Sequence, residues 1–428
     1  MKKVLAMMLM FFFISPISVI STEKDVQFTN ASQYQLSKDV VKSTSYFDII
    51  PSNPTLSQEI NAYQDVNLTM IKNQLEKDQG LKITNLMVND NRIPVFQLSD
   101  GSFVEASRYN IYDDVVQEDI SVQGTFWLNK QFTVFDSPYV TGTKKVDSQL
   151  KSYNQVTVTE KATTAHGVYF KVGNNQWISQ TDLSIADNRI AKVQEMLNQK
   201  YNKSQYAISV KQLNSQAVAG INQDKVMYSA SVAKLAILYY AQEQLQNGSI
   251  KKTDTYKYVD AVNHFNGDYD PSGSGKMPKK ADNKEYSVED LLKAVAQHSD
   301  NVATNMLGYY VAHQYDNQFQ SEINAISGFG WDMEQRQLPA SAATKMMEAI
   351  YYQNGDIVSY LSNTEFDSQR ISKNINVKVA HKIGDAYDYK HDVAIIYANE
   401  PYILTVFTDK SEYDDITAIA DDVYEILK

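Results

Sequence analysis

The sequence predicts a multidomain protein: two small all-β, barrel-like modules followed by one α+β domain, an antiparallel sheet flanked by helices. Three observations predict it. A strand–turn–strand pattern occurs twice at a fixed spacing before residue 186. The periodicity then becomes helical at both ends of the remaining chain, and two pairs of strand-like runs stand inside that helical stretch.

In chain order, residues 1–21 read MKKVLAMMLMFFFISPISVIS: two lysines, an apolar run, a helix-breaking Pro16 and small residues, the layout of a secretory signal peptide. An uncleaved membrane anchor is the alternative, although the apolar run is short of the ~20 residues a span needs. No later segment is apolar enough to be transmembrane. An extracellular or cell-surface location is therefore expected. Residues 22–45 are polar and aperiodic, a linker. Next, IPVFQLSDGSFVEAS from Ile93 aligns with GVYFKVGNNQWISQT from Gly167 at an offset of 74, placing Phe96 on Phe170, Phe103 on Trp177 and Val104 on Ile178. Each copy reads as two strands around a tight turn (SDG, GNN), with an aromatic of the second strand facing in. The modules are expected at about 46–115 and 116–185. Their spacing and terminal pattern resemble the tandem wall-binding β modules of Gram-positive surface proteins, with a plain β spacer as the alternative.

From 186 to 428 the order is helix, two strands, helices, strands, helix. Asp187 is the expected N-cap of the first helix and Gly248 the C-cap of SVAKLAILYYAQEQLQNG. Ser287 and Asp290 open SVEDLLKAVAQHSD like a capping box with a shortened acid.

The chain has 428 residues, no cysteine and a net charge of −11, which becomes −13 once Lys2 and Lys3 leave with the signal peptide. Disulfides, thiol nucleophiles and thiolate metal sites are excluded together. So acidic a surface argues against nucleic acid, which needs clustered cations. The six histidines show no paired-ligand spacing, so no metal and no cofactor is indicated. GSGKM at 273–277 lacks the rest of a phosphate loop, and NGDYDPSGSG reads as a plain loop rather than a calcium site.

Three short stretches carry possible chemistry. Ser231-Val-Ala-Lys234 stands at a helix start, where a serine hydroxyl and its own backbone N–H meet the positive helix end, with Lys234 one turn away. A desolvated lysine beside another cation can act as a base. Ser299-Asp300-Asn301 ends the capped helix, offering a hydroxyl and an amide. Lys382-Ile383-Gly384 precedes a strand, where a glycine lets a substrate backbone lie close. Their intervals, 68 and 83 residues, suit separate elements converging on one pocket. The same three patterns recur at Ser148/Lys151, Ser152/Asn154 and Lys171/Gly173, but inside 26 residues of β repeat with no helix to carry the serine.

Ser-x-x-Lys, S-D-N and a Lys-x-Gly in this order resemble the signature of the penicillin-recognising serine enzymes, class A β-lactamases and penicillin-binding proteins. The likeness extends over essentially all of 186–428, including the hairpin before DKVMYSASVAKLAILY and the strands of KIGDAYDYKHDVAIIYANEPYILTVFT. It implies Ser231 as acylated nucleophile, Lys234 as its activator and Ser299 as proton shuttle aided by the charge of Lys382. Asn301 would bind the substrate's side-chain amide. Gly384 would flank the substrate, and the backbone N–H groups of Ser231 and Asp385 would form the oxyanion hole. It implies a β-lactam or cell-wall peptide substrate and, by way of the β modules, a wall polymer as partner; a monomer is expected.

The sequence departs from that pattern twice. Ile383 stands where the family usually has a hydroxyl that bonds the substrate carboxylate, a loss on the order of 1–3 kcal/mol. Glu334, 35 residues after Ser299, falls near the expected deacylating glutamate but lacks the E-x-x-L-N context, so a solvated acid is the favoured alternative and slow deacylation the expectation. A D-alanyl-D-alanine peptidase, or a wall-binding scaffold with a weakened enzyme domain, are the competing functions.

Overall fold

The structure, a computed structural model, describes residues 45–428; the expected signal peptide and all but the last residue of the linker lie outside the described residues. The chain forms two compact units. One holds 45–120 with Phe135–Lys145 and Lys161–Tyr169, the other Ser121–Val134, Val146–Glu160 and Phe170–Lys428.

The first unit contains a five-stranded sheet in the order Ile71–Leu75, Ile60–Tyr63, Phe103–Glu105, Pro94–Leu98, Ile83–Val88, beside a pair made by Pro54–Leu56 and Ile111–Asp113. The SDG turn closes as expected, Gly101 N–H donating to Leu98 O at 2.9 Å. The inward residue of the second strand is Val104, paired with Phe96 and fully buried with it, whereas Phe103 is half-buried. Neighbouring strand residues face opposite ways, so the register that buries Val104 turns Phe103 outward. In the second repeat Trp177 and Ile178 are both buried, Ile178 among Leu128, Val156, Val158 and Val172.

The remainder of the second unit is built on five antiparallel strands in the order Val218–Ile221, Tyr206–Gln212, Tyr402–Asp409, Tyr389–Ile396, Val379–Ala386. Strand alternation divides its apolar residues between two cores. Ile208, Val210, Ala394, Leu404 and Val406 pack with Ile190, Val193 and Leu197 of the first helix and Ile416, Ile419 and Val423 of the last. Ala207, Val393, Ile395, Ile403 and Phe407 face the opposite way, onto the helices Leu235–Gln246, Val288–His298, Asn301–Tyr310 and Ala340–Gln353. Both faces are dry, which explains why these strands read as continuous apolar runs.

Helix ends refine the sequence reading. The first helix begins at Arg189 with Asn188 as N-cap, and Asp187 accepts from the Arg189 backbone N–H at 2.9 Å while pairing with its guanidinium. Gly248 adopts the left-handed conformation one residue past the C-cap Asn247. Ser287 caps as expected, accepting from Asp290 N–H. The Asp290 carboxylate accepts from the Ser287 hydroxyl at 2.7 Å; one methylene shorter than Glu, it completes only half of a capping box.

His391 pins the sheet to the strand Val226–Tyr228, which leads into Ser231. Its Nε2–H donates to Tyr228 O at 2.8 Å, and Nδ1 accepts from Thr408 N–H at 3.0 Å, so both ring nitrogens serve a neutral imidazole. Burial drives its pKa from 6.5 down to about 4. The folded value lies below the unfolded one, so this contribution to stability is complete above pH 6.5 and is lost as pH falls toward 4. Wild type is expected to lose stability relative to His391→Gln at about 1.4 kcal/mol per pH unit across that window, read from denaturant unfolding at a series of pH values; parallel slopes refute it.

Candidate active site

Ser231 stands on a short turn with three anchors. Val226–Tyr228 pairs with Gln337–Pro339, and Ser229 then donates both its backbone N–H (2.7 Å) and its hydroxyl (3.0 Å) to Arg336 O. Ala230 takes a left-handed conformation (φ 50°), and the 3-10 turn Ala230–Lys234 runs into the helix Leu235–Gln246. The indole of buried Trp331 donates to Ala233 O at 3.2 Å. A non-glycine residue in that conformation is costly and persists only where its surroundings dictate it. The result is a serine at the foot of the turn with 8% of its surface open.

Ser299 and Asp300 form a cap-to-cap junction. Ser299 (φ 51°) is the C-cap of Val288–His298, and Asp300 the N-cap of Asn301–Tyr310, accepting from Ala303 N–H at 2.9 Å. The other Asp300 oxygen accepts from the backbone N–H of Lys276 (2.6 Å) and Met277 (2.8 Å). This requires a glycine at 275, where φ is +114° and a Cβ would overlap Asp300. The segment 273–277, which resembled a fragment of a phosphate loop, is thus a collar around an internal carboxylate. Asn301 lies under the same loop, its Nδ2 donating to Asp270 O at 2.7 Å.

Two buried lysines converge on this junction. Lys234 Nζ donates to Ser299 O (2.6 Å) and Asn301 Oδ1 (2.5 Å), lies 3.5 Å from Ser299 Oγ, and sits 4.3 Å from the Tyr269 ring centroid. Lys382 Nζ donates to Ser299 Oγ at 2.7 Å and to Ile383 O at 3.0 Å. Lys382 rides on Val379–Ala386, a strand with a sheet neighbour on one side only. Gly384 presses against the Ser229–Val232 turn, where a Cβ would come within 2.6 Å of Ser229 O and 3.0 Å of Val232 Cγ2.

Electrostatics follow from burial. Desolvation, then the charge of Lys382, hold Lys234 well below the usual lysine range. Desolvation lowers Lys382 to about 7; Asp392 opposes this and Arg370 adds to it. His381, next in the strand, points the other way and bridges Asp392 (3.0 Å) and Asp367 (3.1 Å). Burial opposes its charge, but the two carboxylates prevail and raise it to about 9.

The structure therefore gathers Ser231, Lys234, Ser299, Asn301, Lys382 and Gly384. Asn301 is engaged on both amide atoms within the protein. The Asp385 carboxylate accepts from Arg370 Nη2 (2.5 Å) and from the Tyr413 hydroxyl. Glu334 is not brought in: it is exposed, its N–H donating to Asp332. From the same segment Arg336 enters instead, stacking 3.7 Å from the Tyr269 ring centroid and donating to Gly267 O and Asp268 O. Tyr269, Arg336 and Arg370 went unnoticed in the sequence, where each is a lone residue in a loop without periodicity; the one signal was an arginine two places from the expected glutamate.

Gly384→Ala is expected to drive the edge strand off the Ser229–Val232 turn. The cost is on the order of 1–3 kcal/mol of stability, measured by denaturant unfolding, with unperturbed stability contradicting the contact.

Residues 188–427 match the model of the β-lactamase enzyme family, and residues 46–111 match that of a domain of unknown function. No curated protein matches the chain. Similar solved structures include a protein named PBP-A (15% identity, TM-score 0.46, 56% of this chain and 94% of that one). Others are β-lactamases from Sphaerobacter thermophilus (16%, 0.44, 55% and 94%) and Xanthomonas campestris (14%, 0.43, 56% and 98%). With its matched segment covering more than half of the sequence and carrying the helix-flanked antiparallel sheet, this chain belongs to the β-lactamase enzyme family, whose fold is that of a serine hydrolase.

Proposed function

We propose that the protein is an exported acyl-enzyme hydrolase that opens β-lactams or related cell-wall peptide amides through Ser231 and releases the acyl group slowly. The observation that carries this reading is the convergence of two buried lysines on the Ser299 hydroxyl, at 2.7 Å and 3.5 Å, beside the Ser231 turn. Lys234, held below the usual lysine range, is the group suited to accept the Ser231 proton as Oγ attacks the carbonyl carbon. Backbone N–H groups of Ser231 and Asp385 would stabilise the oxyanion. As the C–N bond breaks, the Ser299 hydroxyl passes a proton to the leaving nitrogen and is resupplied through the lysines, leaving an ester on Ser231. Slow release is supported by the exposure of Glu334 and by Arg336, a cation, entering from its segment. A scaffolding role has one observation in its favour: Lys234 Nζ is held by Ser299 O and Asn301 Oδ1 rather than by Ser231 Oγ.

Intact mass after incubation with a penicillin is expected to show a persistent adduct that Ser231→Ala abolishes, with little turnover of a chromogenic cephalosporin. Neither adduct nor turnover at high concentration would sink the β-lactam reading. Acylation should also lose rate above about pH 7, as Lys382 gives up its proton; in Lys382→Arg that alkaline limb should move upward by more than a unit, since arginine stays charged. A limb that stays in place removes Lys382 from the step.

A further inference from the structure

Asp385, the first residue after the Lys-Ile-Gly stretch, is a carboxylate supplied by the protein itself where the edge strand passes the nucleophile. Its partner Arg370 is a built site. The arginine is 1% exposed, in a left-handed conformation (φ 56°), with its guanidinium 3.8 Å from the Tyr413 ring centroid. Its Nη1 donates to Gln369 Oε1 at 2.8 Å, its backbone O accepts from the Thr417 hydroxyl at 2.9 Å, and Nη2 donates to Asp385 Oδ2 at 2.5 Å. The Tyr413 hydroxyl donates to the same Asp385 oxygen. A carboxylate of the protein thus already pairs with this buried guanidinium through Nη2.

The neighbouring cations also have partners within the protein. Lys382 Nζ serves Ser299 Oγ and Ile383 O, Lys234 Nζ serves Ser299 O and Asn301 Oδ1, and Arg336 serves two backbone carbonyls. Between Lys382 and Gly384 the strand offers the apolar side chain of Ile383. A substrate arriving with a free carboxylate must displace an existing bond and also approach the negative charge of Asp385. An amide or ester at the same place meets neither cost and can lie along the strand edge by backbone hydrogen bonds.

We propose that Asp385, by occupying Arg370, makes this site select acyl donors whose leaving-amine side ends in an uncharged amide or ester and disfavour those ending in a free carboxylate. The proposal rests on the acyl-enzyme reading above and names the substrate class within it.

The test compares benzylpenicillin with its methyl ester, in which the carboxylate charge is replaced by a neutral ester, on the full-length chain. Rates of Ser231 acylation are followed by intact mass, with Ser231→Ala as control. The wild type is expected to react about tenfold faster with the ester than with the acid, the size of one charge-assisted hydrogen bond. Asp385→Asn, which keeps the shape and removes the charge, should shift the acid-to-ester rate ratio about tenfold toward the acid. Ile383→Thr should shift the same ratio in the same direction by restoring a hydroxyl. An acid that reacts as fast as the ester in wild type, or a ratio that Asp385→Asn leaves where it was, overturns the proposal. Acylation by neither compound overturns the acyl-enzyme reading together with it.

Discussion

The rest of the site depends on the burial of two lysine side chains within reach of one serine hydroxyl. Taking a lysine out of water costs several kcal/mol unless its donors are satisfied, and here satisfaction is local and specific. Lys234 is held by a main-chain carbonyl, an amide oxygen and an aromatic face; Lys382 by a hydroxyl and its neighbour's carbonyl. Asp300 and Asp392 supply negative charge without touching either ammonium group. The loop 267–277 is shaped to this need: it delivers Tyr269, gives Asp270 O to Asn301 and wraps Asp300 with two N–H groups. Chemistry and packing share the same bonds, because any arrangement that left a lysine donor unpaired in the dry interior would raise the energy of the folded state.

How much of this was legible follows from where each residue sits. Ser231, Lys234 and Ser299 announce themselves because each lies at or near a helix boundary with a short local pattern, Lys382 through the Lys-x-Gly stretch inside its strand, and their long intervals imply convergence. The two-sided sheet was legible in its apolar runs. Tyr269, Arg336 and Arg370 were not, since their roles arise only when loops far apart in sequence meet around a buried charge. Asp300 was read as the middle letter of a motif, yet it caps one helix and anchors a loop at once. Phe103 illustrates the limit of aligning a repeat: matching aromatics does not fix which face of the strand each occupies, because the register decides that.

The charge pattern also bears on turnover. Where hydrolysis of an acyl-enzyme wants a carboxylate to draw a proton from water, the segment 333–336 presents an exposed Glu334 and an inserted Arg336. A guanidinium sandwiched on Tyr269, with Lys234 over the same ring, raises the positive potential near Ser231. That potential favours a neutral Lys234.

The edge position of Val379–Ala386 has a consequence beyond recognition. A strand with an unpaired flank offers its N–H and C=O row to any extended chain, including that of another molecule, and such flanks seed aggregation. Residues 380–384 of this strand are buried, yet among the described residues no further strand pairs with its free flank. It is guarded by its ends instead: Asp385 and Asp388 bring charge, Lys390 follows, and the left-handed Tyr387 turns the chain away just past the glycine. The same carboxylate that pairs with Arg370 therefore also places charge near the end of this edge strand.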